Sequence, residues 1–293
     1  MAPPAYSKGV IALVMLAFGF GLTAIITRYM SEYLTVFQQL TVALGSAFLF
    51  SMVIFPRSIT LHRLRKISRR DWGILLFRVC IGYLLATSLY RASITLTKIS
   101  NVTFIQSIPF AAIYGWVLFK EKFTIKKFLL LMIALGGVVL ISIQDYSSLL
   151  SFGKGEIFSF ISSALFALSF VSRKWQTDFL NDKEVAQILL FLGTIALVII
   201  TVIRGELLPP VDWQWLLIVS VVLTGFFNAI NIYLINYGFR HVKAVLASNI
   251  LTLESVFALI LAFIFYRELP TLKEFLGGVL IIGSVVQMNR LEE

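Results

Sequence analysis

Apolar residues along this chain gather into long runs, separated by short clusters of charged and turn-forming residues. Ten runs can be drawn, over about 9–27, 34–55, 72–90, 99–119, 125–143, 155–172, 185–203, 214–237, 244–266 and 271–289. At roughly 18–23 residues, each has the length a helix needs to cross about 30 Å of hydrocarbon. The separators include Arg57 to Asp71, Lys120 to Lys127, Asp145 to Gly155, Arg173 to Glu184 and Gly205 to Asp212. None leaves room for a soluble domain. A transmembrane barrel would instead alternate apolar and polar residues over segments of about 10, and that pattern is missing. The first run follows Lys8, lacks a small-residue cleavage site and is expected to be retained as a helix.

The runs repeat. Shifted back by 147 positions, Phe257, Ala258, Ile260, Glu268, Thr271, Lys273, Phe275, Leu276, Gly283, Val285 and Val286 fall on Phe110, Ala111, Ile113, Glu121, Thr124, Lys126, Phe128, Leu129, Gly136, Val138 and Val139. Apolar bias alone would not bring Glu, Thr, Lys and Gly into register. At an offset of 146, Lys8, Gly9, Ile11, Phe20 and Leu22 match Lys154, Gly155, Ile157, Phe166 and Leu168. The duplicated unit therefore holds five crossings, and an odd number makes the second copy enter from the opposite face. The expected fold is an all-α polytopic membrane protein, its ten transmembrane helices forming two inverted five-helix repeats (1–146 and 147–293). Such repeats place a binding site near the bilayer midplane, where they meet.

Composition agrees: 59% of the 293 residues are apolar and 14% charged, with a mean hydropathy of +0.91. The net charge of +10 is spread over short loops, which argues for orientation in a membrane rather than for nucleic acid. With the N-terminus inside, inside segments carry 17 Lys and Arg and outside segments carry 7, Arg91 among the latter. Both termini are accordingly expected in the cytoplasm. The lone Cys80 excludes a disulfide within the chain, and no cofactor, metal or catalytic constellation is expected.

Polar residues inside the runs are the candidates for function, because a buried charge in lipid costs about 3 kcal/mol or more. Glu254 lies deep in the ninth run and Arg78 in the third; the two are expected to meet across the repeats, or else Arg78 snorkels to headgroups. Ser100, Thr103, Ser107 and Tyr114 share a face of the fourth helix. Thr224, Asn228 and Asn231 share one on the eighth, and Ser159, Ser162, Phe166 and Ser169 one on the sixth. Such small polar residues line cavities or glue helices together. Phe20, Thr23, Arg78, Tyr83, Asn101, Ser107, Ser169, Asn228, Asn231 and Glu254 form the candidate substrate-binding set, with Glu254 as coupling residue. Glu121 and Glu268 precede the fifth and tenth helices, whose N-terminal dipoles favour an acid; they are read as structural. Gly136-Gly137 and Gly277-Gly278 are read as helix-packing positions.

Ser107-Ile108-Pro109-Phe110 with Phe119-Lys120-Glu121-Lys122, and Leu253-Glu254-Ser255-Val256-Phe257 with Tyr266-Arg267-Glu268, resemble the EamA-type branch of the drug/metabolite transporter superfamily. Two departures stand out: Ser255 sits where a proline is often found, and Gln38-Gln39 near where an arginine is common. The resemblance implies a secondary transporter of the bacterial inner membrane. It implies a central cavity lined by spans 1, 3, 4, 6, 8 and 9, with spans 5 and 10 peripheral as scaffold or homodimer contact. Its partners would be the lipid bilayer, a small-molecule substrate such as an amino acid, and protons; members are often exporters. An organellar-type sugar-phosphate or nucleotide-sugar antiporter needs several basic residues in the cavity. A lipid flippase or non-transporting scaffold is the remaining alternative.

Overall fold

The computed structural model of the chain describes residues 4–56, 58–97, 99–143, 153–206, 213–267 and 269–292. Among these residues every regular element is helical. The ten long elements are α1 (Pro4–Met30), α2 (Val36–Ile54), α3 (Arg69–Arg78, Val79–Ala86 and Thr87–Leu96), α4 (Ile99–Gln106 and Phe110–Phe119), α5 (Ile125–Ser142), α6 (Lys154–Val171), α7 (Asp182–Ile203), α8 (Trp215–His241), α9 (Ala244–Leu251 and Leu253–Tyr266) and α10 (Leu272–Glu292). Nine are long and apolar enough to cross a membrane. The tenth, α10, has 21 residues and carries its charges at the ends, in Lys273, Glu274, Arg290 and Glu292. Large apolar side chains stay exposed around the bundle, among them Val53, Trp116, Phe265 and Leu276. In water such a surface would be costly; against lipid tails it is the expected exterior.

The packing shows the inversion. Three helices lie against their own counterparts in the other repeat: α2 on α7, α4 on α9, and α5 on α10. Each pair is antiparallel. Gln187 at the start of α7 donates to the Ser51 and Phe55 carbonyls at the end of α2. Lys127 at the start of α5 pairs with Glu292 at the end of α10. Lys273 at the other end of α10 donates 2.6 Å to the Ile143 carbonyl. The remaining contacts are symmetric too, since α1 packs on α8 and α9 while α6 packs on α3 and α4. Even a backbone angle repeats: Lys120 (φ 52°) and Arg267 (φ 59°), 147 positions apart, both end their helices in the left-handed region. For a non-glycine residue that conformation costs about 1–2 kcal/mol.

Where α5 crosses α10 the helices nearly touch. A Cβ on Gly137 would lie 2.6 Å from the Gly277 carbonyl oxygen, and a Cβ on Gly277 would lie 2.6 Å from that of Gly137. The other member of each glycine pair, Gly136 and Gly278, faces open space. Helix breaks differ between the repeats. Pro109 lacks an N–H and splits α4 over Ser107 to Pro109, whereas α9 is interrupted only at Thr252, whose backbone stays helical (φ −63°, ψ −18°). Helix α3 also departs from regularity, because Val79–Ala86 forms a π-helical stretch. Such widened turns are frequent at functional sites. This one separates Arg78 from Arg91.

Candidate functional site

The face on which α1 begins and α10 ends (the near face) differs chemically from the opposite, far face. On the near face, loop and helix-end charges interlock the repeats. Lys174 after α6 lies 2.5 Å from Glu121 after α4, and Arg63 lies 2.5 Å from Glu184 on α7. Asp71 on α3 accepts from the Thr177 amide at 3.0 Å and hydroxyl at 2.7 Å. Glu292 pairs with both Lys127 and Lys243. Arg173 and Asp182 form a buried pair at 2.6 Å, with Arg240 joining Asp182 and Asp178. Among the described residues the one remaining salt bridge, Arg204 to Glu206 at 2.7 Å, lies on the far face.

Glu121 does favour a helix N-terminus, but not that of the helix it precedes. Its carboxylate accepts the Ala244 and Val245 amides at 2.9 and 3.1 Å, the first turn of α9. The dipole argument held, and long-range packing chose the helix. Glu268 lies outside the described residues.

The expected contact between Arg78 and Glu254 is absent. Arg78 is 2% exposed and engaged elsewhere. It donates to the Ser169 carbonyl of α6 at 3.0 Å, the Gln176 side-chain oxygen at 3.1 Å and the Asn236 side-chain oxygen of α8 at 2.8 Å. Three neutral acceptors hold its Nε and Nη1 without a carboxylate, so neither an acid nor the headgroups draw it away. Glu254 makes no salt bridge among the described residues and keeps some accessible surface; Tyr90 of α3 lies within its electrostatic reach.

The other candidates separate into two groups. Ser169 serves the Arg78 seam. Asn101 is buried and donates 3.2 Å to Glu156, which also receives a hydrogen bond from Thr97. Ser107 turns back to the Thr103 carbonyl of its own helix at 2.9 Å. Tyr83 packs against α7 at Gly193, and Phe20 packs on the core that α1 shares with α8 and α9. Asn231 is 2% exposed and pressed on Gly19 of α1. The α6 hydroxyls likewise tie helices, as Ser162 donates 2.8 Å to the Ala86 carbonyl. Side chains of Ser100 and Arg28 lie outside what is described.

Thr23 and Asn228, by contrast, meet in a cavity. About 130 Å³ in volume, it is lined by Thr23, Thr27, Met30, Gln39, Leu40, Ala43, Leu44, Arg91, Thr224 and Asn228. The polar stripe on α8 thus divides by depth: Thr224 and Asn228 reach the cavity, and Asn231, one turn nearer the near face, does not. Beside it opens a vestibule of about 600 Å³ with Thr35, Phe37, Ser88, Leu89, Arg91, Ile200, Arg204 and Glu206 in its wall. Arg91 belongs to both. Sequence reasoning treated Arg91 as a loop residue, because a charge was read as the end of a span. Helix α3 instead runs on to Leu96, so Arg91 stays within the bundle. A basic residue followed by five more helix-compatible positions was the available signal.

A duplicated bundle of membrane-spanning helices with polar space between its halves is the architecture of a transport protein. The chain belongs to the EamA-like transporter family, which it matches twice, over residues 7–143 and 153–290. It is similar to proteins described as uncharacterized transporters. One, from Methanothermobacter thermautotrophicus, is 26% identical, with 94% of this chain and 84% of that protein aligned. Another, from Synechocystis, is 23% identical, with 80% of this chain and 70% of that protein aligned. A solved crystal structure 14% identical in sequence superposes with a TM-score of 0.78, covering 98% of this chain and 99% of that one. At that identity the likeness speaks for the fold.

Proposed function

We propose that this chain is a secondary transporter that exports a small polar or amphipathic metabolite by alternating access between its two repeats. The carrying observation is the contrast between faces: cavities with polar and charged side chains in their walls lie toward the far face, while cross-repeat ion pairs lie across the near face. Alternating access needs such an asymmetry, with one side sealed while the other is wet. The excess of Lys and Arg assigns the near face to the cytoplasm, so the described arrangement is the far-open one, and export follows the family resemblance. A sugar-phosphate or nucleotide-sugar substrate is disfavoured, because Arg204 is already neutralised by Glu206, which leaves Arg91, among the described residues, as the one unpaired cation in the walls of these cavities. Glu254, set in α9 with accessible surface and no counter-ion, is the proposed proton-coupling group.

The test is reconstitution into liposomes with labelled amino acids and nucleosides, with and without a proton gradient. Accumulation driven by the gradient, lost in Glu254→Gln with counterflow retained, is the expected result. Gradient-driven transport that survives in Glu254→Gln overturns the coupling assignment, and the absence of counterflow across the panel overturns the metabolite-export reading.

A further inference from the structure

The Arg91 side chain makes no hydrogen bond to any described residue, and its Nε is buried without an acceptor. Its guanidinium stands 5.8 Å from the Tyr90 ring, its nearest charge-stabilising neighbour. Gln39, in the wall of the same cavity, uses its amide nitrogen on the Leu34 carbonyl at 2.8 Å, and its side-chain oxygen is buried without a donor. The wall of one cavity therefore holds an arginine whose Nε lacks an acceptor and a glutamine whose side-chain oxygen lacks a donor. Leaving such groups unpaired in a low-dielectric interior costs about 1–3 kcal/mol each, and more for a charge. Their pairing with a ligand recovers that cost. The fork of an arginine fits a planar carboxylate in two-point contact.

The adjoining vestibule supplies the other half of a binding site. Val36, Phe37, Leu89 and Ile200 form an apolar wall, and at its mouth Arg204 is occupied by Glu206 and stacked 4.6 Å from the Phe37 ring. Arg204 thus offers no second free charge, which favours a single anionic group over a phosphate or dicarboxylate.

We infer that Arg91 and Gln39 form the recognition site for an apolar monocarboxylate bearing a hydrogen-bond donor near its carboxylate, with the apolar part of the ligand lying along the vestibule. Arg91 holds the carboxylate and Gln39 accepts from the donor. This inference rests on the transport reading for its biological role, though not for binding.

The experiment measures binding and transport separately on the full chain. Binding is read as ligand-induced thermal stabilisation in detergent, and transport as counterflow in liposomes, using L-leucine, L-leucinamide and 4-methylpentanoate as probes. Expected is binding of L-leucine at least tenfold tighter than of either analogue. In Arg91→Gln the preference for L-leucine over L-leucinamide disappears, and in Gln39→Leu the preference for L-leucine over 4-methylpentanoate disappears. Arg91→Lys, which keeps the charge without the fork, binds L-leucine with an intermediate loss. Binding without counterflow leaves the site standing and removes the transport reading. Counterflow that treats acid and amide alike, or wild-type protein that binds none of the three, overturns the site. So does an Arg91-dependent stabilisation that follows the phosphatidylglycerol content of nanodiscs and ignores carboxylates, which would make the partner a lipid headgroup.

Discussion

Arg78 and Arg91 sit thirteen positions apart on α3, on either side of its π-helical stretch. Both are cations that hydropathy would place unfavourably in a bilayer. Arg78 is closed in by three acceptors from α6, α8 and the loop between α6 and α7. Arg91 lines two cavities and makes no side-chain hydrogen bond to a described residue. One guanidinium has been spent on holding the repeats together; the other is available to something that enters. The same division runs through the molecule at large, with the near face cross-linked by ion pairs and the far face hollow. A buried charge in a membrane protein is thus not by its burial a sign of a binding site. What separates the two cases is whether the protein itself supplies acceptors to the charge.

The sharpest way to break that comparison is to remove each arginine in turn. Arg78→Met leaves the Gln176 and Asn236 side-chain oxygens buried together without a donor, while the Ser169 carbonyl keeps the Ser172 hydroxyl, and is expected to lower stability by about 3–5 kcal/mol. Arg91→Met loses the packing of its stem and its approach to the Tyr90 ring, and should cost about 1 kcal/mol or less. Thermal unfolding of the purified variants in detergent measures both, and equal losses would end the distinction drawn here.

A smaller effect should come from the near-face lattice. Glu121→Gln keeps the shape of the side chain but discharges the Lys174 pair and weakens the cap on α9. A cysteine placed at Ala247, buried beneath this lattice, should then react with a thiol reagent roughly tenfold faster in a Cys80→Ser background, the equivalent of about 1.4 kcal/mol. An unchanged rate would mean that these ion pairs decorate the near face rather than close it.

The smallest effect belongs to the far-face pair. The hydrogen bond from Arg204 is the main reason the Glu206 carboxyl titrates below its ordinary value of 4.5, with the Thr35 hydroxyl adding to it. Because the folded value is depressed, the contribution is present above the ordinary carboxyl range and fades only as pH falls through the lowered value. Infrared difference spectra between wild type and Glu206→Gln should still show the carboxylate band at a pH near 4.5. Its disappearance above that pH would show that the far face holds its ions no more tightly than water does.

Much of this could be read from residue order. Ten crossings follow from the lengths of the apolar runs, and the inverted pairing from an odd-numbered unit copied once. Thr224 and Asn228 share a helix face that does reach a cavity, and the candidate Thr23 meets them there. Reading failed where a side chain's fate depends on partners far along the chain. Glu121 caps a helix 123 residues away, and Arg78 found amide oxygens instead of Glu254. Arg91 was lost for a local reason, since a charge inside a helix and a charge at its end look alike in a hydropathy profile.

The division has a physical basis. Crossing length, repeat period and face alternation are properties of short segments in a solvent that forbids unpaired backbone, so they survive in the order of residues alone. Which polar groups are consumed by neighbours and which stay open is set by sub-ångström approach between helices that are distant in sequence. That choice came with the packing of α3 between α6 and α7, and it separates the arginine that binds the fold from the one left facing the cavity.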